Sequence, residues 1–101
     1  MKSFDYKDLD EIIHGRVRLA LMAFLATAEQ SDFNELKEVL QVTDGNLSVQ
    51  VRKLEEAGYL DVRKGYRGRR PHTSVCITDA GKAALNGYLA HLRALIEKVG
   101  P

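Results

Sequence analysis

Residues 43–81 read TDGNLSVQVRKLEEAGYLDVRKGYRGRRPHTSVCITDAG, and the succession of patterns inside them decides the fold. Between Thr43 and about Ala57, Leu47, Val51 and Leu54 recur at the spacing that stacks side chains on one face of a helix, leaving Gly45, Val49, Arg52 and Lys53 opposite. Thr43 is placed to cap the first turn and Gly58 to end the helix. Tyr59, Leu60 and Val62 then read as a short strand, Lys64 to His72 as a turn, and Thr73 to Ile77 as a returning strand. Thr78 and Asp79 restart a helix, because both offer acceptors to the unpaired N–H groups of a first turn. The product is a helix with one free polar face, about 43–57, followed by a cationic hairpin, about 59–77.

Upstream, Phe33 to Gln41 reads as a short helix with Leu36, Val39 and Leu40 inward, and Asp32 with Glu35 resembles a capping box. Before it, Leu9 to Glu29 reads as one long helix with two apolar stripes. One is Ile13, Val17, Leu21, Phe24 and Ala28; the other, on roughly the opposite side, is Ile12, Leu19, Met22, Ala23 and Ala26. Downstream, a helix expected over about 79–98 carries Leu85, Tyr88, Leu89, Leu92, Leu95, Ile96 and Val99 in a single stripe. A small helical core covers only the first two turns of that stripe. The remainder, with the spare face of the first helix, therefore predicts a homodimer whose interface includes Ile12, Leu19, Met22, Tyr88, Leu92, Leu95, Ile96 and Val99.

Composition bounds the class. At 101 residues, 45% hydrophobic and 29% charged, residues 1–101 read as one compact domain with a single small core. Arg16 and Arg18 interrupt the longest apolar run, from Ile12 to Ala28, so a membrane span is not expected. Asp5, Asp8, Asp10 and Glu11 stand where a signal peptide needs basic and apolar residues, so a cytoplasmic location is the expectation. The net charge of +1 conceals an asymmetry: residues 1–61 hold seven Lys or Arg against twelve Asp or Glu, and residues 62–101 hold eight against two. Arg63, Lys64, Arg67, Arg69 and Arg70 lie within eight residues with no acid among them, the electrostatic signature of phosphate contact.

The stretch from Asp32 to Leu85, about half of the chain, resembles the winged helix-turn-helix domain of bacterial transcriptional regulators of the MarR and ArsR types, above all their short single-domain relatives. The resemblance rests on the Leu-x-x-Leu-Glu-x-x-Gly-Tyr type run, here Val51 to Tyr59, on the arginine-rich wing, and on Ile77-Thr78-Asp79-Ala80-Gly81 opening the last helix. It implies a mainly α fold with a small β-hairpin (α+β), long terminal helices forming a dimer, and double-stranded DNA as the partner. The recognition helix would present Asn46, Ser48, Val49, Arg52 and Lys53 to the major groove, where Asn suits adenine, Arg suits guanine and Val suits a thymine methyl. The family often carries a basic residue where Val49 stands, so base reading is expected to lean on Asn46, Ser48 and Arg52, with Arg52 and Lys53 equally suited to phosphates. In the wing, Lys64, Arg67, Arg69 and Arg70 are the expected contacts, gripping phosphate or a narrow minor groove.

Other chemistry finds little support. His14, His72 and His91 fall in three separate elements without ligand-spaced carboxylates, and Cys76 is the single cysteine, so neither a metal, a cofactor nor an intrachain disulfide is expected. Nor does any phosphate loop, nucleophile elbow or paired carboxylate point to an enzyme. A homodimeric repressor on a pseudo-palindromic operator is the leading expectation. The alternatives are a winged-helix module docking an acidic protein through its wing, and an effector- or redox-responsive switch at the dimer interface near Tyr88 and Met22, with any effector unspecified.

Overall fold

A computed structural model describes residues 6–100; the ends of the expected 1–101 domain, Asp5 included, lie outside the described residues. After a single tight turn at Tyr6–Asp8, the elements run α1 (Arg16–Ala28), β1 (Gln30–Asp32), α2 (Phe33–Leu40), α3 (Asp44–Glu56), β2 (Leu60–Arg67), β3 (Arg70–Ile77) and α4 (Asp79–Val99). The strands form one antiparallel sheet in the order β1-β3-β2. Leu21, Met22 and Leu25 of α1, Leu36 of α2, Leu47, Val51 and Leu54 of α3, and Leu60 and Val75 of the sheet make the core, joined by Leu85 and Tyr88 of α4. Each fully buried aliphatic side chain in it contributes about 1.5–3 kcal/mol of transfer free energy.

The first helix is shorter than its apolar pattern. Rather than entering a helix at Leu9, the chain turns around Asp10, whose Oδ1 accepts from the backbone N–H groups of Ile12 (2.8 Å) and Ile13 (3.2 Å). This local bonding competes with helix, as Asp side chains commonly do. Gly15 then stands in an extended conformation as N-cap, and α1 begins at Arg16. Its buried face is Leu21, Met22 and Leu25, between the two expected stripes, while Ala23, Ala26 and Ala28 are exposed. Ile13 is buried in the turn that precedes the helix.

Gln30–Asp32, where the sequence pattern predicts no strand, is a strand paired to β3 through Gln30–Cys76, Ser31–Val75 and Asp32–Ser74. The edge of β3 supplies hydrogen-bond partners that override the low β-propensity of these residues. Asp32 caps α2 by accepting from Glu35 N–H (2.7 Å), but Glu35 does not complete a capping box: its Oε1 accepts from the buried Ser31 hydroxyl at 2.6 Å. Val39, expected inward, is exposed, since eight residues of helix bury one narrow face around Leu36. Gln41 in the left-handed region ends α2, and Thr43 caps α3 by accepting from Asn46 N–H at 3.1 Å.

The end of α3 is a Schellman motif. Gly58 takes φ 84°, its N–H reaches Glu55 O and the Tyr59 N–H reaches Leu54 O, both at 2.9 Å. This turn directs Tyr59 toward Asp10, to which its phenol donates at 2.6 Å, fastening the N-terminal segment to the corner where α3 meets β2. The hydrogen bond to Asp10, then burial, then the Asp10 charge push the Tyr59 pKa from 10.0 up to about 12. The native state therefore keeps a proton that the unfolded chain releases near pH 10. The contribution to stability is complete below pH 10 and is lost as pH rises toward 12. An ultraviolet difference titration of wild type against Tyr59→Phe should inflect near 12; an inflection at 10 while circular dichroism is still native would remove the Asp10 contact from the account.

Candidate nucleic-acid interface

The exposed side of α3 is built by the same periodicity that buries Leu47, Val51 and Leu54. Asn46, Ser48, Val49, Arg52 and Lys53 are all solvent-exposed, but they fan around the helix instead of forming one row. Val49, 45% exposed, faces outward near the middle of the free face. Ser48 and Arg52 turn toward the hairpin, where they and Glu55 line a cleft of about 320 Å³ with Val62, Lys64 and Thr73 across from them and Phe33 at one end. Arg52 and Lys64 thus stand on opposite sides of one groove, two cations that could hold an anion between them, with the Glu55 carboxylate also lining it. Asn46 lies on the other flank of α3, toward α1, and does not meet the wing.

The wing is more ordered than a basic loop. Pairing between β2 and β3 continues through Lys64–Thr73, Gly65–His72 and Tyr66–Pro71 to Arg67–Arg70, leaving Gly68 and Arg69 as a two-residue turn. Gly68 has φ 63° and Arg69 is not among the positive-φ residues, which fits the hairpin turn that places glycine first. The stretch expected as a turn, Lys64 to His72, is therefore mostly strand. Gly65 and Pro71 read as loop residues in the sequence, yet both sit in the ladder, and Pro71 lies beyond the short β1, where that side of β3 has no neighbour. Alternation places Arg63, Arg67, Arg70 and His72 on the outer face and Lys64 and Tyr66 on the cleft face. An Arg67 guanidinium nitrogen lies 3.1 Å from His72 Nε2, and the guanidinium can only donate in that contact. Tyr66 is 76% exposed near the tip.

Several residues expected at an interface between copies occupy other places. Met22 and Tyr88 are buried within this chain, and the Tyr88 hydroxyl bonds His14 Nδ1 at 2.7 Å, so neither offers a free surface to a second copy. Leu19 and Leu92 are half-buried against the core, and Leu95 is also half-buried. Ile12 is exposed, and Ile96 and Val99 are 60% and 71% exposed on the distal part of α4. Cys76 is a half-buried free thiol in β3, paired with Asp61 on one side and Gln30 on the other. Among the described residues no cluster of His, Cys, Asp or Glu could hold a metal ion, and no helix is long and apolar enough to cross a membrane.

Two site residues escaped the sequence reading. Gln50 Nε2 donates to Asn46 Oδ1 at 3.0 Å, and Gln50 Oε1 accepts from Arg18 Nη1 at 2.7 Å. The four-residue spacing of Asn46 and Gln50 carried half of that signal. Nothing local in the sequence ties Arg18 to either.

A capped helix that follows a shorter one through a tight turn, with a long hairpin beside its free face, is a winged helix-turn-helix, as the patterns of residues 43–81 led us to expect. The chain belongs to the winged helix DNA-binding domain family, whose model matches residues 17–96. It is 35% identical over 89 residues to an uncharacterised protein of Methanocaldococcus jannaschii, an alignment that spans 88% of this chain and 97% of that protein. Among solved structures, a transcriptional regulator homologue from Pyrococcus horikoshii is 34% identical with a TM-score of 0.85, over 91% of each chain. A protein from Enterococcus faecalis V583 described as a transcriptional regulator of the MarR family is 25% identical with a TM-score of 0.69, over 87% of this chain and 78% of that one.

Proposed function

We propose that this protein is a sequence-specific transcriptional regulator that binds a pseudo-palindromic operator as a homodimer and represses by occupying it. The observation that carries the reading is the pairing of an exposed α3 face, Asn46, Ser48, Val49, Arg52 and Lys53, with a hairpin laddered out to its tip at Arg67, Arg69 and Arg70. The helix suits base edges and the wing suits backbone or minor groove. The relatives described as transcriptional regulators support the same role.

The homodimer rests on α4. Its 21 residues extend about 30 Å, and the molecule measures 58 × 25 × 21 Å. Leu85, Tyr88, Leu92, Leu95 and Val99 follow alternating steps of three and four; the first two are buried, and Leu89, Ile96 and Val99 remain exposed. A second α4 would cover that seam, giving an isologous interface and two recognition helices for two half-sites.

The test combines sedimentation with binding to duplex DNA from upstream of the protein's own gene, against random duplex. Wild type should sediment as a dimer at micromolar concentration and prefer its own upstream duplex. Ile96→Glu/Val99→Glu alters only exposed positions of α4, so it should remain folded, become monomeric and lose at least about tenfold in affinity. A monomeric wild type that still prefers the operator would remove the dimer from the proposal. Absence of any preference would remove the operator. A reporter under the same upstream DNA should rise when the protein is deleted; a fall would make it an activator.

A further inference from the structure

The hydrogen-bond chain from α1 into the first turn of α3 has a direction that chemistry imposes. Arg18 donates through Nε to the Ile12 carbonyl at 2.5 Å and through Nη1 to Gln50 Oε1 at 2.7 Å. A guanidinium has donors and no acceptor, so the group it meets on Gln50 must be the carbonyl oxygen. That leaves the Gln50 amide nitrogen facing Asn46, and a nitrogen donor there requires Asn46 to turn its Oδ1 inward, as observed at 3.0 Å. The orientation of the Asn46 amide is therefore settled by Arg18, 28 residues away, and not by Asn46 itself. The Asn46 backbone is fixed as well, since its N–H donates to the Thr43 cap.

From this we infer that Gln50, held by Arg18, is the positioning residue that sets which base Asn46 selects, and that the base is adenine. The inference rests on the reading that α3 enters the major groove. Oδ1 has two lone pairs and Gln50 occupies one, so the outward edge of the amide presents one N–H of Nδ2 and the second lone pair of Oδ1 in a fixed order. Adenine offers the matching acceptor at N7 and donor at N6, whereas guanine offers acceptors only. An unrestrained asparagine presents its donor and acceptor in either order and loses rotamer freedom on binding; here both choices are made before DNA arrives.

Gln50→Glu tests the direction of the chain. A carboxylate still accepts from Arg18, so the link to α1 persists, but it cannot donate to Asn46. The Asn46 amide then turns over, offering Nδ2 to the carboxylate and exchanging the places of donor and acceptor on its outward edge. Gln50→Met retains the bulk and removes both bonds. The experiment is repeated selection from a duplex library with a randomised centre, carried out on wild type, Asn46→Ala, Gln50→Met and Gln50→Glu, with total affinity measured across a salt series.

Wild type is expected to enrich adenine at one position per half-site. Asn46→Ala and Gln50→Met should relax that position on the order of tenfold, and Gln50→Glu should install a different base there while the rest of the motif stands. The added charge of Gln50→Glu weakens binding to all duplexes alike, so the base preference, not the affinity, is the readout. Retention of adenine by Gln50→Glu and Gln50→Met, or an unchanged motif in Asn46→Ala, overturns the inference while leaving DNA binding intact. If wild type enriches no motif and shows no salt-dependent affinity, the DNA-binding reading falls with it.

Discussion

Replacing Arg67, Arg69 and Arg70 together by Ala should reduce operator affinity at physiological salt by about a hundredfold or more. The plot of log affinity against log salt should flatten by about 2 to 3. The slope follows from counterion release, about 0.9 per phosphate neutralised on duplex DNA. The affinity loss follows from three solvent-exposed charge contacts at roughly 1 kcal/mol each, together about two powers of ten. The geometry of the hairpin separates this effect from any loss of folding. Arg67 and Arg70 face each other directly across the last rung of the β2–β3 ladder, with Arg69 in the turn between them. Like charges so placed destabilise a free hairpin, and an anion between them turns the repulsion into attraction. The triple variant should therefore melt at the wild-type temperature or slightly above it while losing DNA. If the variant keeps the wild-type salt slope, the wing is not the phosphate grip, and the Arg52–Lys64 groove becomes the place to look.

The positions that the sequence made legible share a physical character. Leu47, Val51 and Leu54 bury one face of a helix whose caps, Thr43 and Gly58, are chemically explicit, so local pattern and tertiary structure agree there. Thr78 is equally plain, accepting from the Gly81 N–H at 2.9 Å. The misreadings lie where a distant partner decides. Asp10 delays the start of the first helix because two backbone donors and Tyr59 claim its carboxylate. Gln30–Asp32 becomes strand because β3 is beside it, and the extent of the hairpin was hidden by Gly65 and Pro71, residues that signal loops. Met22 and Tyr88 show the same gap for the interface: an apolar residue on a helix face records that something covers it, without saying whether that is its own chain or another. Gln50 is half-buried; its four-residue spacing from Asn46 is local, but its bond to Arg18 arises only where α1 meets α3.

Gly81→Ala should destabilise the protein by about 2 kcal/mol or more, although the rule for helices predicts the opposite sign. Gly81 is in the first turn of α4 with ordinary helical backbone, where Ala is normally better by about 1 kcal/mol. Space reverses the outcome. A Cβ at Gly81 would collide with the carbonyl oxygen of Tyr59 and stand 3.0 Å from Ile77 Cγ1. The carbonyl cannot move aside cheaply, because it accepts the Thr78 N–H at 3.0 Å while the Thr78 hydroxyl donates to Gly58 O at 2.7 Å. The end of α3, the start of β2 and the start of α4 are thus joined at one point, and the added methyl pushes directly on it. Gly87, in the same helix, provides the control: a Cβ there meets nothing within 4 Å, so Gly87→Ala should stabilise by roughly 0.5–1 kcal/mol. Thermal melts of the two variants at one protein concentration should move in opposite directions, by about 4–8 °C per kcal/mol for a domain of this size. Equal or raised melting of Gly81→Ala would mean that the junction yields. A junction that yields would shift the start of α4 against the end of α3 and the start of β2, so Gly81→Ala should then also show weakened protection of the Thr78 and Tyr59 amides in hydrogen exchange.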